Sequence, residues 1–188
     1  IGSWIKKTGP GDAAGEYILG KWNDGPTGGP TEPSAVYVYL RLNRVGDGSA
    51  GVYTVGGAMT VAAGTRSVTS SQVTLSKTSW HHVAATYEGQ LVQLFVDGVK
   101  VGESSATSTT QYGNQNADFP ILIGKGFVGV IGDVHVYTQA RHPIGSGLMD
   151  RFCPAGAGGA PLADVHVVFP FDEASKALAA NASAAAAG

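Results

Sequence analysis

From Val36 to Leu42 the chain alternates strictly. Val36, Val38, Leu40 and Leu42 fall on one side, and Tyr37, Tyr39 and Arg41 on the other. A period of two predicts a β-strand with one face turned to a core. The same texture recurs from Trp80 to Tyr87 and from Leu91 to Val96, separated by Glu88-Gly89. Asp97-Gly98 follows, then Val99 to Val101. An acidic residue before glycine suits a type I′ turn, which needs positive φ at both central positions. These runs therefore predict a three-stranded antiparallel meander.

Other segments read the same way. Ile1 to Lys7 is a strand with Trp4 inward, and Tyr17 to Trp22 is the next. Gly51 to Val55 and Met59 to Ala63 read as two short strands. Gln72 to Leu75 leads into the meander. Ile121 to Ile123 and Val128 to Tyr137 follow it. In the last of these, Ile131 and Val134 have opposite parity, yet both have core chemistry; a bulge near Gly132-Asp133 would turn both inward. Val165 to Asp172 is a further strand, apolar on both faces.

Between these runs lie turns and loops. Thr8–Gly15 is a Gly/Pro turn, Asn23–Pro33 is a loop rich in Gly, Pro and Thr, Asn43–Gly48 is a turn, and 104–118 is polar. Residues 146–161 read as a Gly/Ala/Pro linker and 174–188 as a poorly ordered alanine-rich tail. The chain has 188 residues, 28 of them glycine, and only 14% are charged. That composition suits short strands and many turns, and argues against a coiled coil. The net charge of −2 gives no electrostatic basis for binding nucleic acid. No apolar run reaches the ~20 residues that span a bilayer. The chain does not begin with Met and shows no signal peptide, so it reads as a segment of a longer or processed protein.

The motifs, taken in order, resemble one family. Ile1-Gly2-Ser3-Trp4-Ile5-Lys6 is followed by Trp80-x-His82-Val83-Ala84 with Thr86-Tyr87. Then come Phe95-Val96-Asp97-Gly98, Ile121-x-Ile123-Gly124, Gly129-x-Ile131 and Val134-x-Val136-Tyr137. The set is similar to the laminin-G-like jelly roll of the concanavalin A-like lectin and glucanase superfamily. The resemblance covers most of residues 1–145. It implies an all-β fold of two antiparallel sheets packed as a sandwich. It also implies structural roles for Trp4, Trp80, His82, Tyr87, Asp97, Gly98 and Tyr137, with Trp80, His82, Tyr87 and Phe95 buried. Val165 to Glu173 resembles the family's first strand. Residues 162–173 would then complete this sheet or open a further repeat.

The resemblance also frames the chemistry. Glucanases of the superfamily use two carboxylates on one sheet face, about 5–5.5 Å apart in a retaining site. No acids at i and i+2 or i+4 of a strand supply them here, so no catalytic residue is assigned. No Cys/His set has zinc spacing, no Gly-x-Ser-x-Gly elbow occurs, and no phosphate loop is present. Laminin-G-like domains often hold Ca²⁺ at a rim. Asp24, Asp47, Asp118 and Asp133 are the candidate ligands, since Ca²⁺ takes six to eight oxygens. For sugar binding, Trp22 with Asn23 and Asp24 forms one aromatic–polar cluster, and Tyr112 with Asn114 another. Asn181-Ala182-Ser183 is the one glycosylation sequon, and Cys153 is the lone cysteine.

The sequence thus reads as a non-catalytic module of a larger extracellular or cell-surface protein. Its expected role is adhesion, scaffolding or protein–protein contact, with partners in other domains of the same chain or in extracellular protein or glycan. The alternative is a lectin-like carbohydrate-binding module.

Overall fold

A computed structural model describes residues 1–22, 36–61, 64–88, 91–104, 121–137 and 165–169. They form eleven strands: β1 (Gly2–Lys7), β2 (Glu16–Trp22), β3 (Val36–Arg44), β4 (Val52–Val61), β5 (Gly64–Thr74), β6 (His81–Glu88), β7 (Leu91–Val96), β8 (Val99–Glu103), β9 (Ile121–Ile123), β10 (Gly129–Tyr137) and β11 (Val165–Phe169). One sheet runs β11-β10-β1-β6-β7-β8 and the other β5-β4-β3-β2-β9, with every pairing antiparallel.

The core lies between the sheets. Ile5, Ile18, Leu40, Leu42, Tyr53, Val55, Leu75, Val83, Val92 and Leu94 are all buried there. Alternation makes this possible, because each strand sends every second side chain inward. On β3 the inward residues Leu40 and Leu42 are those that the pattern placed together.

The meander closes as its turn chemistry dictates. Asp97 and Gly98 have φ of 49° and 78°, the left-handed pair that a type I′ turn requires. On β10 the register slips where β1 passes from Gly2 to Trp4, opposite His135 and Gly132. That irregularity lets Ile131 pack against the core while Val134 is fully buried. The segment from Val165 is a strand over Val165–Phe169 and lies along β10, with Val168 opposite His135.

Two expectations are corrected here. Trp4 does not point inward. Ser3, Ile5 and Lys7 do, and Trp4 sits on the opposite face, paired with His82 and in edge contact with its ring at 5.4 Å. Residues 51–63 are not two short strands either, since Val52–Val61 is continuous. Within it, Gly56 and Gly57 both mark close approaches. A β-carbon on Gly57 would lie 2.7 Å from Leu94 Cδ2 of the facing sheet, and one on Gly56 3.2 Å from Arg41 Cγ.

Candidate functional site

The outer face of the five-stranded sheet carries an unusual load for a solvent-side surface. Residues directly opposite one another in an antiparallel pair share a face. Tyr17 pairs with Arg41, Gly20 with Tyr39, Tyr39 with Ala58, Arg41 with Gly56 and Asn43 with Thr54. Gly56, Ala58 and Thr54 pair in turn with Thr69, Ser67 and Gln72 of β5. One surface therefore gathers Tyr17, Tyr39, Arg41, Asn43, Thr54, Ser67, Thr69 and Gln72.

Arg41 is its centre. The guanidinium carbon lies 5.0 Å from the Tyr39 ring centre and 5.7 Å from that of Tyr17. Its Nη1 donates to Tyr17 Oη at 3.2 Å. The two tyrosines meet edge to face at 5.9 Å and are nearly buried, with Leu122 packed beside them. A cation held over aromatic faces is positioned without an acidic partner. Among the described residues Lys7 and Lys100 form ion pairs, and none belongs to Arg41. Its Nε is buried without a hydrogen-bond acceptor among the described residues. Next to it, Asn43 Nδ2 donates to Thr54 Oγ1 at 3.4 Å. Beyond these, Ser67, Thr69 and Gln72 are exposed. This array can offer donors, acceptors and one positive charge to a polar ligand. Among the described residues it holds no carboxylate for acid–base chemistry.

Several of the described carboxylates are engaged elsewhere. Glu16 pairs with Lys7 and accepts from Gly11 N. Asp12 accepts from Ala14 N, and Glu103 from Gln93 and Lys100. Asp97 locks the meander: Oδ1 accepts from His82 N at 2.8 Å, and Oδ2 sits 2.7 Å from His81 Nδ1. Since His81 Nε2 accepts from Ser76 N at 2.9 Å, the ring proton is on Nδ1, which donates to Asp97. His82 is fully buried, and burial pushes its pKa down to about 4 despite the nearby Asp97 charge. The His81-His82 pair is thus part of the fold's hydrogen-bonding and packing.

Of the ligand and metal candidates read from sequence, Trp22, Asp47 and Asp133 lie among the described residues. Asn23, Asp24, Tyr112, Asn114, Asp118, Cys153 and Asn181 lie outside the described residues. Trp22 ends β2 in the five-stranded sheet, whereas Asp133 lies on β10 of the other sheet. Asp47 is an exposed turn residue. Its Oδ1 accepts from Ser49 N at 2.8 Å, and hydrogen bonds from Ser49 hold its pKa below the usual carboxylate range. Among the described residues no three His, Cys, Asp or Glu side chains gather as metal ligands. Two of the four residues expected to hold Ca²⁺, Asp24 and Asp118, lie outside the described residues.

Trp80 is a further correction: it is 46% exposed. It precedes β6, outside the ladder, and its six-membered ring reaches over Gly132, 3.5 Å from where a β-carbon would stand. Exposed Val130 lies at the start of the same strand as Gly132, and exposed Val128 just before it. His82 and Phe95 are fully buried and Tyr87 packs partly buried against the core, as the resemblance implied. Sequence reading passed over Tyr17, Arg41, Asn43 and Thr54 as site residues. The signal was present, because the alternation of β3 already put two tyrosines and an arginine on the side away from the core.

The profile of the concanavalin A-like lectin/glucanase superfamily, laminin G type, matches residues 1–143. No curated protein matches the chain. Among solved structures, a candidate carbohydrate-binding protein of Bacteroides ovatus ATCC 8483 is similar at 19% identity with a TM-score of 0.46; the match covers 76% of this chain and 37% of that one. This chain thus spans little more than a third of that protein's length. Two antiparallel sheets in a sandwich, and a profile match over most of the sequence, make this chain a member of the laminin G-type family within the concanavalin A-like lectin/glucanase superfamily.

Proposed function

We propose that this chain is a non-catalytic glycan-binding module of a larger extracellular or cell-surface protein, and that its ligand rests on the outer face of β2, β3, β4 and β5. One observation carries the reading: Arg41 is fixed over Tyr17 and Tyr39, beside Asn43 and Thr54, with no acidic partner among the described residues. Sugars present hydroxyls that both donate and accept, and a pre-arranged set of amide, hydroxyl and guanidinium groups matches them with little ordering cost. A glycan array probed with the purified chain tests this. The reading expects binding to a defined glycan set that falls away in Arg41→Ala. Silence across the array, or unchanged binding by Arg41→Ala, contradicts it.

A second reading, adhesion or scaffolding through protein contact, is favoured by exposed Trp80, Val128 and Val130. Exposed apolar surface of this kind marks contact sites. In that case Trp80→Ser abolishes association with a flanking domain of the same protein and leaves the glycan array unchanged.

A further inference from the structure

β11 stands at the edge of the six-stranded sheet, and among the described strands its one neighbour is β10. The pairing is antiparallel, with Val134 opposite Phe169, His135 opposite Val168, Val136 opposite Val167 and Tyr137 opposite Val165. A main-chain ladder of this kind does not depend on which molecule supplies the strand. Without β11, the β10 edge would be open beside fully buried Val134 and nearly buried His135. An open edge is a template for pairing with another chain. Val165-His166-Val167-Val168-Phe169 contains no Lys, Arg, Asp or Glu, the charges by which edge strands discourage such pairing.

Two observations set the donor strand apart from the body that accepts it. The family profile matches residues 1–143 and stops short of β11. Tyr137 and Val165 are directly opposite, where a two-residue turn would join them, yet residues 138–164 lie between them in the chain. A connection of 27 residues can span up to about 90 Å. Six strands at ~4.8 Å spacing are only about 25 Å across. The donor strand is therefore within reach of the same edge on an adjacent molecule. We propose that β11 is an exchangeable strand: the β10 edge is a strand-acceptor site, and its partner is β11 of a second copy of this chain. Reciprocal exchange gives a two-fold pair in which each edge is filled by the other molecule's strand. The β10–β11 ladder is the same in both forms, so connector entropy and protein concentration set the balance between them. The glycan-binding face lies on the other sheet, and the two readings stand or fall separately.

The test is cysteine cross-linking of the full chain in a Cys153→Ser background. Val136 and Val167 face one another across the ladder, at a spacing that a disulfide bridges. One chain carries Val136→Cys and the other Val167→Cys. The two are unfolded, mixed, refolded together and oxidised. Exchange predicts a disulfide-linked dimer from the mixture, while each variant refolded alone gives none. A third chain carrying both substitutions checks the pairing itself. Light scattering of the unsubstituted chain supplies a readout that needs no variant. There, a ten-fold higher concentration during refolding should raise the dimer-to-monomer ratio about ten-fold while monomer predominates, as mass action requires. Cross-linking only within the doubly substituted chain, with none in the mixture at any concentration, overturns exchange and leaves β11 as a strand of its own molecule. No cross-link in any chain overturns the pairing and the proposal with it. A dimer that forms without the cross-link uses another surface, and overturns the proposal too.

Discussion

Lys7 and Glu16 form an ion pair with both side chains fully buried, and it joins β1 of one sheet to β2 of the other. Lys7 Nζ also lies 4.5 Å from the Phe127 ring centre and 5.4 Å from that of Tyr53. Burial lowers the Lys7 pKa, and the hydrogen bond and charge of Glu16 oppose that shift. Neither charge has access to water, so each depends on the other. Removing one partner alone, by Lys7→Met or Glu16→Leu, should cost about 3–5 kcal/mol, because an uncompensated charge stays buried. The double variant should lie within about 1 kcal/mol of the wild type or be more stable than it. Denaturant unfolding of the four proteins closes this cycle. Additive losses would show that the two residues do not act as a pair.

His82 gives the fold a pH dependence with a definite sign. Its folded pKa is about 4 against an ordinary value of 6.5, so the unfolded chain binds this proton more tightly. The associated stability is present above pH 6.5 and is lost as pH falls toward 4, by about 3 kcal/mol in total. Carboxylates add their own acid dependence, so the relevant quantity is a difference. Stability at pH 7 minus that at pH 4.5 should be smaller in His82→Leu than in the wild type. Identical differences would contradict the burial account.

Phe95 and Trp80 should separate sharply on truncation. Phe95 is fully buried, so Phe95→Ala should cost about 3–5 kcal/mol. Trp80 is nearly half exposed, so Trp80→Ala should cost about 1 kcal/mol or less. Equal losses in a urea titration would place Trp80 back in the core.

Gly57 is a site of close approach between the sheets. A β-carbon there would stand 2.7 Å from Leu94 Cδ2 and 3.5 Å from Ala85 Cβ. Gly57→Ala should therefore destabilise by about 1–3 kcal/mol through overpacking. Adding Leu94→Val should recover part of that loss by giving space back, and no recovery would point to a backbone cause instead.

Sandwich architecture was legible because its signals are local. Alternation in Val36–Leu42 named Leu40 and Leu42 as core, and the clash of parity between Ile131 and Val134 called for the irregularity found on β10. The continuity of Val52–Val61 was not legible, because the close contact that Gly57 makes with Leu94 exists only once the facing sheet is in place. Trp80 misled because its motif fixes a neighbourhood and not an orientation. Arg41, Tyr17 and Thr54 come from three different strands, so their proximity depends on register, which alternation alone does not supply. The clusters chosen from sequence were contiguous in the chain, whereas a sheet-face site is contiguous across it.

Amide chemical-shift mapping, with ¹⁵N-labelled chain and a glycan that scores on the array, tests the central claim most directly. The account predicts that the largest shifts fall on Tyr39, Arg41, Asn43, Thr54, Gly56 and Thr69, across the outer face of the five-stranded sheet. Shifts centred on Trp80, Val130 and Gly132 of the other sheet would contradict it.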